Sequence, residues 1–174
     1  MLRALLLSSL CGTALFAAAP ALADSANLLG VFKNWSAYST GSGDSLTCYA
    51  MSTPRAVRPA AAKRNAVFLM VSDWPGRKIK AEVEIVPGYE YKANAAASLG
   101  IGADKFEFFS RNESKSGSAW LKNLNDSVRL MSALGGGVSA VAMGTSAKGT
   151  KTVDTYSLAG LGDAVAKIHA VCNM

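Results

Sequence analysis

The sequence predicts a mainly β domain, a β-sandwich or partly closed barrel with one short internal helix and a C-terminal helix. Three observations predict it. Several short stretches alternate apolar and polar residues with period two, turn chemistry separates them, and only two stretches carry helical spacing. Short strands of this kind bury one face against a second layer or against themselves, which yields a sandwich or a barrel.

In chain order, the first strand is expected over 46–51. Ala66-Val67-Phe68-Leu69-Met70-Val71 is an unbroken apolar run and reads as a central strand buried on both faces. Trp74-Pro75-Gly76 then turns the chain into Ile79-Lys80-Ala81-Glu82-Val83-Glu84-Ile85, whose apolar and charged residues alternate as in a half-buried strand. The two should form a hairpin, and Pro87-Gly88 ends it with turn chemistry. Further strands are expected over 105–110, 137–145 and 152–158, the last two pairing through Ser146-Ala147-Lys148-Gly149. Asp126 is placed to cap a short helix through Leu134, with Val128 and Met131 on one side and Gly135 stopping it. A second helix spans 160–171. There Leu161, Val165, Ile168 and Cys172 fall at i, i+4, i+7 and i+11, which is one helical face.

Residues 1–23 read as a cleaved export signal. Arg3 supplies the positive start, residues 4–19 are almost continuously apolar, and Ala21-Leu22-Ala23 offers the small-x-small site a signal peptidase accepts. The apolar run falls short of the ~20 residues a spanning helix needs. Leu10 before Cys11 does not suit lipid attachment. Taking 23 residues from 174 leaves 151, enough for one domain with a core, and losing Arg3 lowers the formal charge from +6 to +5.

The remaining cysteines are Cys48 and Cys172. In an oxidising compartment they have one pairing open to them, the alternative being two buried free thiols. Two cysteines and the single His169 fall short of a four-ligand zinc site, and no cofactor is expected. Arg55, Arg58, Lys63, Arg64, Arg77, Lys78 and Lys80 share a stretch whose only acid is Asp73. Such a stretch is either a solvated surface or a face for anionic lipid or polysaccharide in the envelope or on a host. Nucleic acid is not an expected partner, since an exported protein seldom meets it.

One string admits an enzyme. Gly43-Asp44-Ser45-Leu46-Thr47 resembles the nucleophile block of the GDSL (SGNH) esterases, and Asn123-Leu124-Asn125-Asp126 approaches that family's Gly-x-Asn-Asp block with Asn123 in the Gly position. Serine chemistry needs a base, and His169 is the candidate, but Ala166 stands where that family carries an Asp. The polar run Ser39-Thr40-Gly41-Ser42 places Ser45 in a hairpin turn, which is the reading preferred here, with His169 a partly covered surface residue. Trp74, Tyr89, Tyr91 and Trp120 either line an exposed binding patch or pack the core and its rim.

Taken together, the segments resemble a known family. Cys48-Tyr49-Ala50-Met51-Ser52-Thr53-Pro54 is similar to the Cys-Tyr-Ala-x-Ser-x-Pro block of the small invasion-associated locus B family proteins of alphaproteobacteria. Pro87-Gly88-Tyr89, Phe106-Glu107-Phe108-Phe109 and Ala119-Trp120-Leu121 follow in the family's order. Gly144-Thr145-Ser146-Ala147-Lys148-Gly149-Thr150-Lys151 then leads through Asp154-Thr155-Tyr156-Ser157-Leu158 to Gly160 and a helix ending in Cys172. Leu161 departs from the family's usual Phe, an apolar exchange. The resemblance implies an exported, non-enzymatic protein of a Gram-negative envelope with a β-sandwich-like domain. It supplies no catalytic residues. Exported material should begin at Asp24, which N-terminal sequencing of the periplasmic fraction checks; a start at Met1 would refute the signal.

Overall fold

Side-chain alternation along eleven strands builds one antiparallel sheet with an apolar inner face and a mixed outer face. The computed structural model describes residues 25–113 and 116–174, so the export signal and the Asp24 start lie outside the described residues. The strands are β1 Asn27–Phe32, β2 Trp35–Thr40, β3 Thr47–Ser52, β4 Ala56–Arg58, β5 Phe68–Trp74, β6 Ile79–Val86, β7 Ala97–Ile101, β8 Asp104–Glu113, β9 Ser116–Leu121, β10 Ser139–Thr145 and β11 Lys151–Ser157. Helix α1 spans Ser127–Gly136 and α2 spans Leu161–Cys172. The sheet runs β1-β2-β3-β5-β6-β9-β8-β7-β10-β11-β4. The mainly β class with a short internal and a C-terminal helix is thus observed, and the sheet is not closed by hydrogen bonding between β1 and β4.

The inner face is continuous across the strand order. Trp35 and Ala37, Cys48 and Ala50, Leu69 and Val71, Val83 and Ile85, Phe106 and Phe108, and Ala140 and Ala142 are all buried, each pair two residues apart on its strand. Curling brings the two halves of the sheet together. The Trp35 indole N–H donates to the Ser157 carbonyl at 2.9 Å, and the Asn34 amide donates to the Ala159 carbonyl at 3.2 Å. Gly160, at φ +93°, passes directly beneath the Phe32 carbonyl, where any Cβ would collide with backbone. Only glycine suits that crossing.

Helix α2 lies on β1, β2, β3 and β5 and buries Leu161, Ala164, Ile168 and Cys172, with Val165 partly covered. Its last residue is bonded to the sheet: Cys48 and Cys172 form a disulfide with Cα atoms 6.0 Å apart. The hairpin β5–β6 forms as expected, turning through a 3-10 helix at Pro75–Arg77.

Four expectations need correction. The apolar run starts its strand at Phe68 and extends to Trp74, and Phe68 and Met70 face outward half-buried, so β5 is central but not fully buried on both faces. Val128 is 81% exposed; α1 buries Leu130 and Leu134 instead. Gly135 does not stop α1, which continues to Gly136, and Asp126 makes no side-chain cap bond. Its carboxylate accepts from Arg129 and Asn123. Replacing both bonded cysteines by serine should cost roughly 2–5 kcal/mol of stability, read as a lower denaturation midpoint against the oxidised protein.

Candidate functional site

A cleft opens where β6 parts from β9. Opposite β5, the register slips between Ser72 and Trp74, so that Lys80 and Ala81 both stand against Asp73. This bulge puts Ala81 in the left-handed region at φ +55°, and its amide donates to Asp73 Oδ1 at 2.9 Å. A bulge bends and twists its strand. Beyond it, the ladder between β6 and β9 consists of Glu84–Trp120 and Ile85–Ala119, and among the described residues Ile79, Glu82 and Val83 pair with β5. The resulting space is ≈ 1020 Å³. The start of α1 and the turn before it, with Leu124 and Leu130, form its far wall.

Registers fix what faces it. Met70, Glu84, Trp120 and Phe109 are successive partners across β5, β6, β9 and β8, so they form one row on the outer face. Phe109 and Trp120 have ring centroids 5.8 Å apart. The Trp74 indole N–H donates to Glu82 Oε2 at 3.1 Å, and the Arg77 guanidinium stacks over the same ring at 5.3 Å. Burial pushes the Glu84 carboxyl above the ordinary carboxylate range; neighbouring Glu82 and Glu113 push the same way, and a hydrogen bond to Ser118 opposes them. Arg77, Lys80, Arg111 and Lys122 line the same cleft. Lys122, also at the cleft, is engaged by Glu107 at 3.0 Å.

The basic stretch does not form one face. Arg55, Arg58, Lys63, Arg77, Lys78 and Lys80 are exposed, but they divide between β4 with its flanks and the β5–β6 turn. β9, β8, β7, β10 and β11 stand between those elements in the sheet. Arg64 is a correction. Its side chain is 5% exposed and holds Asp154, itself 3% exposed, through two bonds of 2.8 and 2.6 Å. The guanidinium also donates to the Pro87 carbonyl and lies over the Tyr89 ring. A buried carboxylate needs such a partner, so Arg64 is structural and unavailable to a surface ligand.

Of the four aromatic candidates, Trp74 and Trp120 line the cleft. Tyr91 is buried and Tyr89 half-buried, packed edge to face under Gly144. Phe109, Glu82 and Glu84 were not anticipated. Two carboxylates spaced i, i+2 on one strand face were the available signal, and they read more simply as solvated charge. His169 is partly covered, as expected, but its partner was not foreseen: Nδ1 lies 2.6 Å from Oδ2 of fully buried Asp73. Ser45 is exposed, and its hydroxyl donates to the Ser42 carbonyl at 2.8 Å. No hydrogen bond among the described residues joins Ser45 to His169.

Among the described residues, no group of three or more His, Cys, Asp or Glu is placed to hold a metal ion, and no helix is long and apolar enough to cross a membrane. No family model, curated protein or solved structure matches the chain.

The raised Glu84 carboxyl gives a pH signature. Between the ordinary value of 4.5 and the raised one, the folded protein keeps a proton that the unfolded chain has released, so stability falls as pH rises through that window. Glu84→Gln should therefore raise the Tm at pH 7.5, on the order of 1–3 °C for a domain this size. The gain should vanish below about pH 4, where both states are protonated. Thermal melts across pH read it directly.

Proposed function

We propose that the chain is an exported, non-enzymatic protein of the Gram-negative envelope, similar to the invasion-associated locus B family, with a binding or structural role there or toward a host. The observation that carries this reading is the Cys48–Cys172 bridge, both of whose residues are buried. A bridge of this kind is kept where cytosolic reductants are absent, which agrees with the export signal read at residues 1–23. The blocks that carry the resemblance also fall at closing contacts. Gly88 meets the Asn65 carbonyl, Gly144 admits Tyr89 and Tyr91, and Gly160 passes under Phe32.

The non-enzymatic reading is supported by Ser45, whose hydroxyl is turned to Ser42 and makes no hydrogen bond to His169 among the described residues. Osmotic-shock fractionation tests the location: the protein should leave with the periplasmic contents and carry no free thiol. Retention in the cytosol with two free thiols would overturn it. The purified protein should show no hydrolysis of short-chain nitrophenyl esters that disappears in Ser45→Ala; a Ser45-dependent rate would establish the esterase instead.

A further inference from the structure

We propose that the end of the sheet formed by β4, β11 and the β10–β11 turn is a cationic face that rests on an anionic phospholipid bilayer. This deepens the binding role proposed above, and rests on it, by naming the surface and the chemistry of its partner.

The placement of charge carries the inference. Arg55 and Arg58 lie at β4, Lys63 follows beside Arg64, Lys148 stands in the β10–β11 turn, Lys151 opens β11, and Lys92 lies alongside the end of β10. All six are exposed, and none makes an ion pair among the described residues. On these segments the one exposed acid is Glu90, since Asp154 is buried and neutralised by Arg64. The rest of the described chain carries nine basic and nine acidic side chains, which balance. The cationic surplus of the described domain therefore stands at this one end. A field so placed orients the molecule toward a negative surface before contact.

Register brings these groups together from distant parts of the sequence. Arg58 is the direct partner of Val153, and Lys151, two residues from Val153, points to the same face. Thr145 pairs with Lys151, and its carbonyl accepts the Lys92 amide at 2.9 Å. The Ala147 amide donates to the Glu90 carbonyl at 2.7 Å, which lays the turn carrying Lys148 along the segment carrying Lys92. β4 ends the strand order, so no further strand flanks its cations.

The same end selects a bilayer over a sugar chain or a small anion. None of the six cations lines the cleft or the smaller hollow beside Gly136 and Gly137, so they meet a broad surface and do not enclose a ligand. Sugars are commonly held by stacking on exposed rings, but Tyr89 and Tyr91 are packed inward under Gly144. Exposed Met143 is the direct partner of Val153 in the row that holds Arg58, which puts an apolar side chain among the cations, as suits the headgroup boundary.

The test is co-sedimentation of the purified protein, disulfide intact, with vesicles of phosphatidylcholine in which phosphatidylglycerol makes up a quarter of the lipid. Saturable binding is expected to these vesicles and none to phosphatidylcholine alone. It should weaken steeply as salt is raised from about 0.05 to about 0.5 M, because the charges are exposed and screened. The variant Arg58→Gln/Lys148→Gln/Lys151→Gln should bind about tenfold or more weakly, with an unchanged Tm. A control, Lys33→Gln/Lys105→Gln/Lys167→Gln, loses the same charge from exposed positions elsewhere and should bind within about twofold of the parent. Absence of binding, equal binding to phosphatidylcholine alone, or indifference to salt would each overturn the proposal. So would parent-like binding of the first variant, or equal weakening in the control, which would assign the effect to net charge and not to this face. Tighter binding to soluble alginate than to vesicles of equal charge concentration would overturn the bilayer as partner, and displacement by millimolar inorganic phosphate would replace the face with a discrete anion site. Each of these results leaves the fractionation and thiol measurements standing, so failure here is separate from failure of the envelope reading.

Discussion

An open sheet of eleven strands has one face that water must not reach, and among the described residues two α-helices are at hand to cover it. The solution is the seam between the β1–β2 hairpin and the end of β11. The Trp35 indole reaches across to the Ser157 carbonyl, and Gly160 lets the last crossing come into backbone contact with the β1–β2 turn. Curling converts one buried face into both walls of a core, so that Phe106 and Phe108 share an interior with Leu69 and Val71. What curling leaves uncovered at β1, β2, β3 and β5, α2 covers. The disulfide then fixes the far end of that helix, where fraying would otherwise expose Ile168.

The interior so formed is not purely apolar. Arg64 and Asp154 meet across 90 residues of sequence and satisfy each other with two bonds. Tyr89 and Thr152 share a hydrogen bond of 2.6 Å beside them. Burial raises the Tyr156 phenol well above its usual range, and its hydroxyl has no hydrogen-bond partner among the described residues. These groups fix how the segment after β4 and the segment after β6 dock on β11. An apolar substitute would fill the same space, but it would not select one register so sharply.

Strands with strong alternation were legible in the sequence. β6 reads from Ile79-Lys80-Ala81-Glu82-Val83 and β11 from its alternating polar and buried residues, and both hairpins follow from Pro-Gly and Ser-Ala-Lys-Gly turns. The strands that were missed lack that signature for physical reasons. β7 is Ala-Ser-Leu-Gly-Ile and β9 is Ser-Gly-Ser-Ala-Trp-Leu, small residues of low strand propensity held by position between neighbours. β1 and β2 join through Lys33-Asn34, and lysine stands at the φ +54° position, where glycine is the usual signal. The disulfide was legible because export leaves two cysteines and one pairing. The burial of Arg64 was not, because its partner is distant in sequence. The cleft was only half legible, since its tryptophans stand out, whereas a gap between two strands is a property of register.

That register depends on one carboxylate. Asp73 is fully buried, and its two oxygens serve different elements. Oδ1 accepts the Ala81 amide and so holds the bulge that turns the start of β6 away from β9. Oδ2 meets Nδ1 of His169 on α2. Asp73 is also the direct partner of Cys48 across β3 and β5, and Cys48 is bonded to Cys172, three residues beyond His169. A left-handed alanine costs on the order of 1 kcal/mol and persists only where its surroundings over-determine it. Here the over-determination runs from the C-terminal helix through one acid to the bulge at the start of β6. The shape of the cleft is thus set by the same residues that anchor the end of the chain.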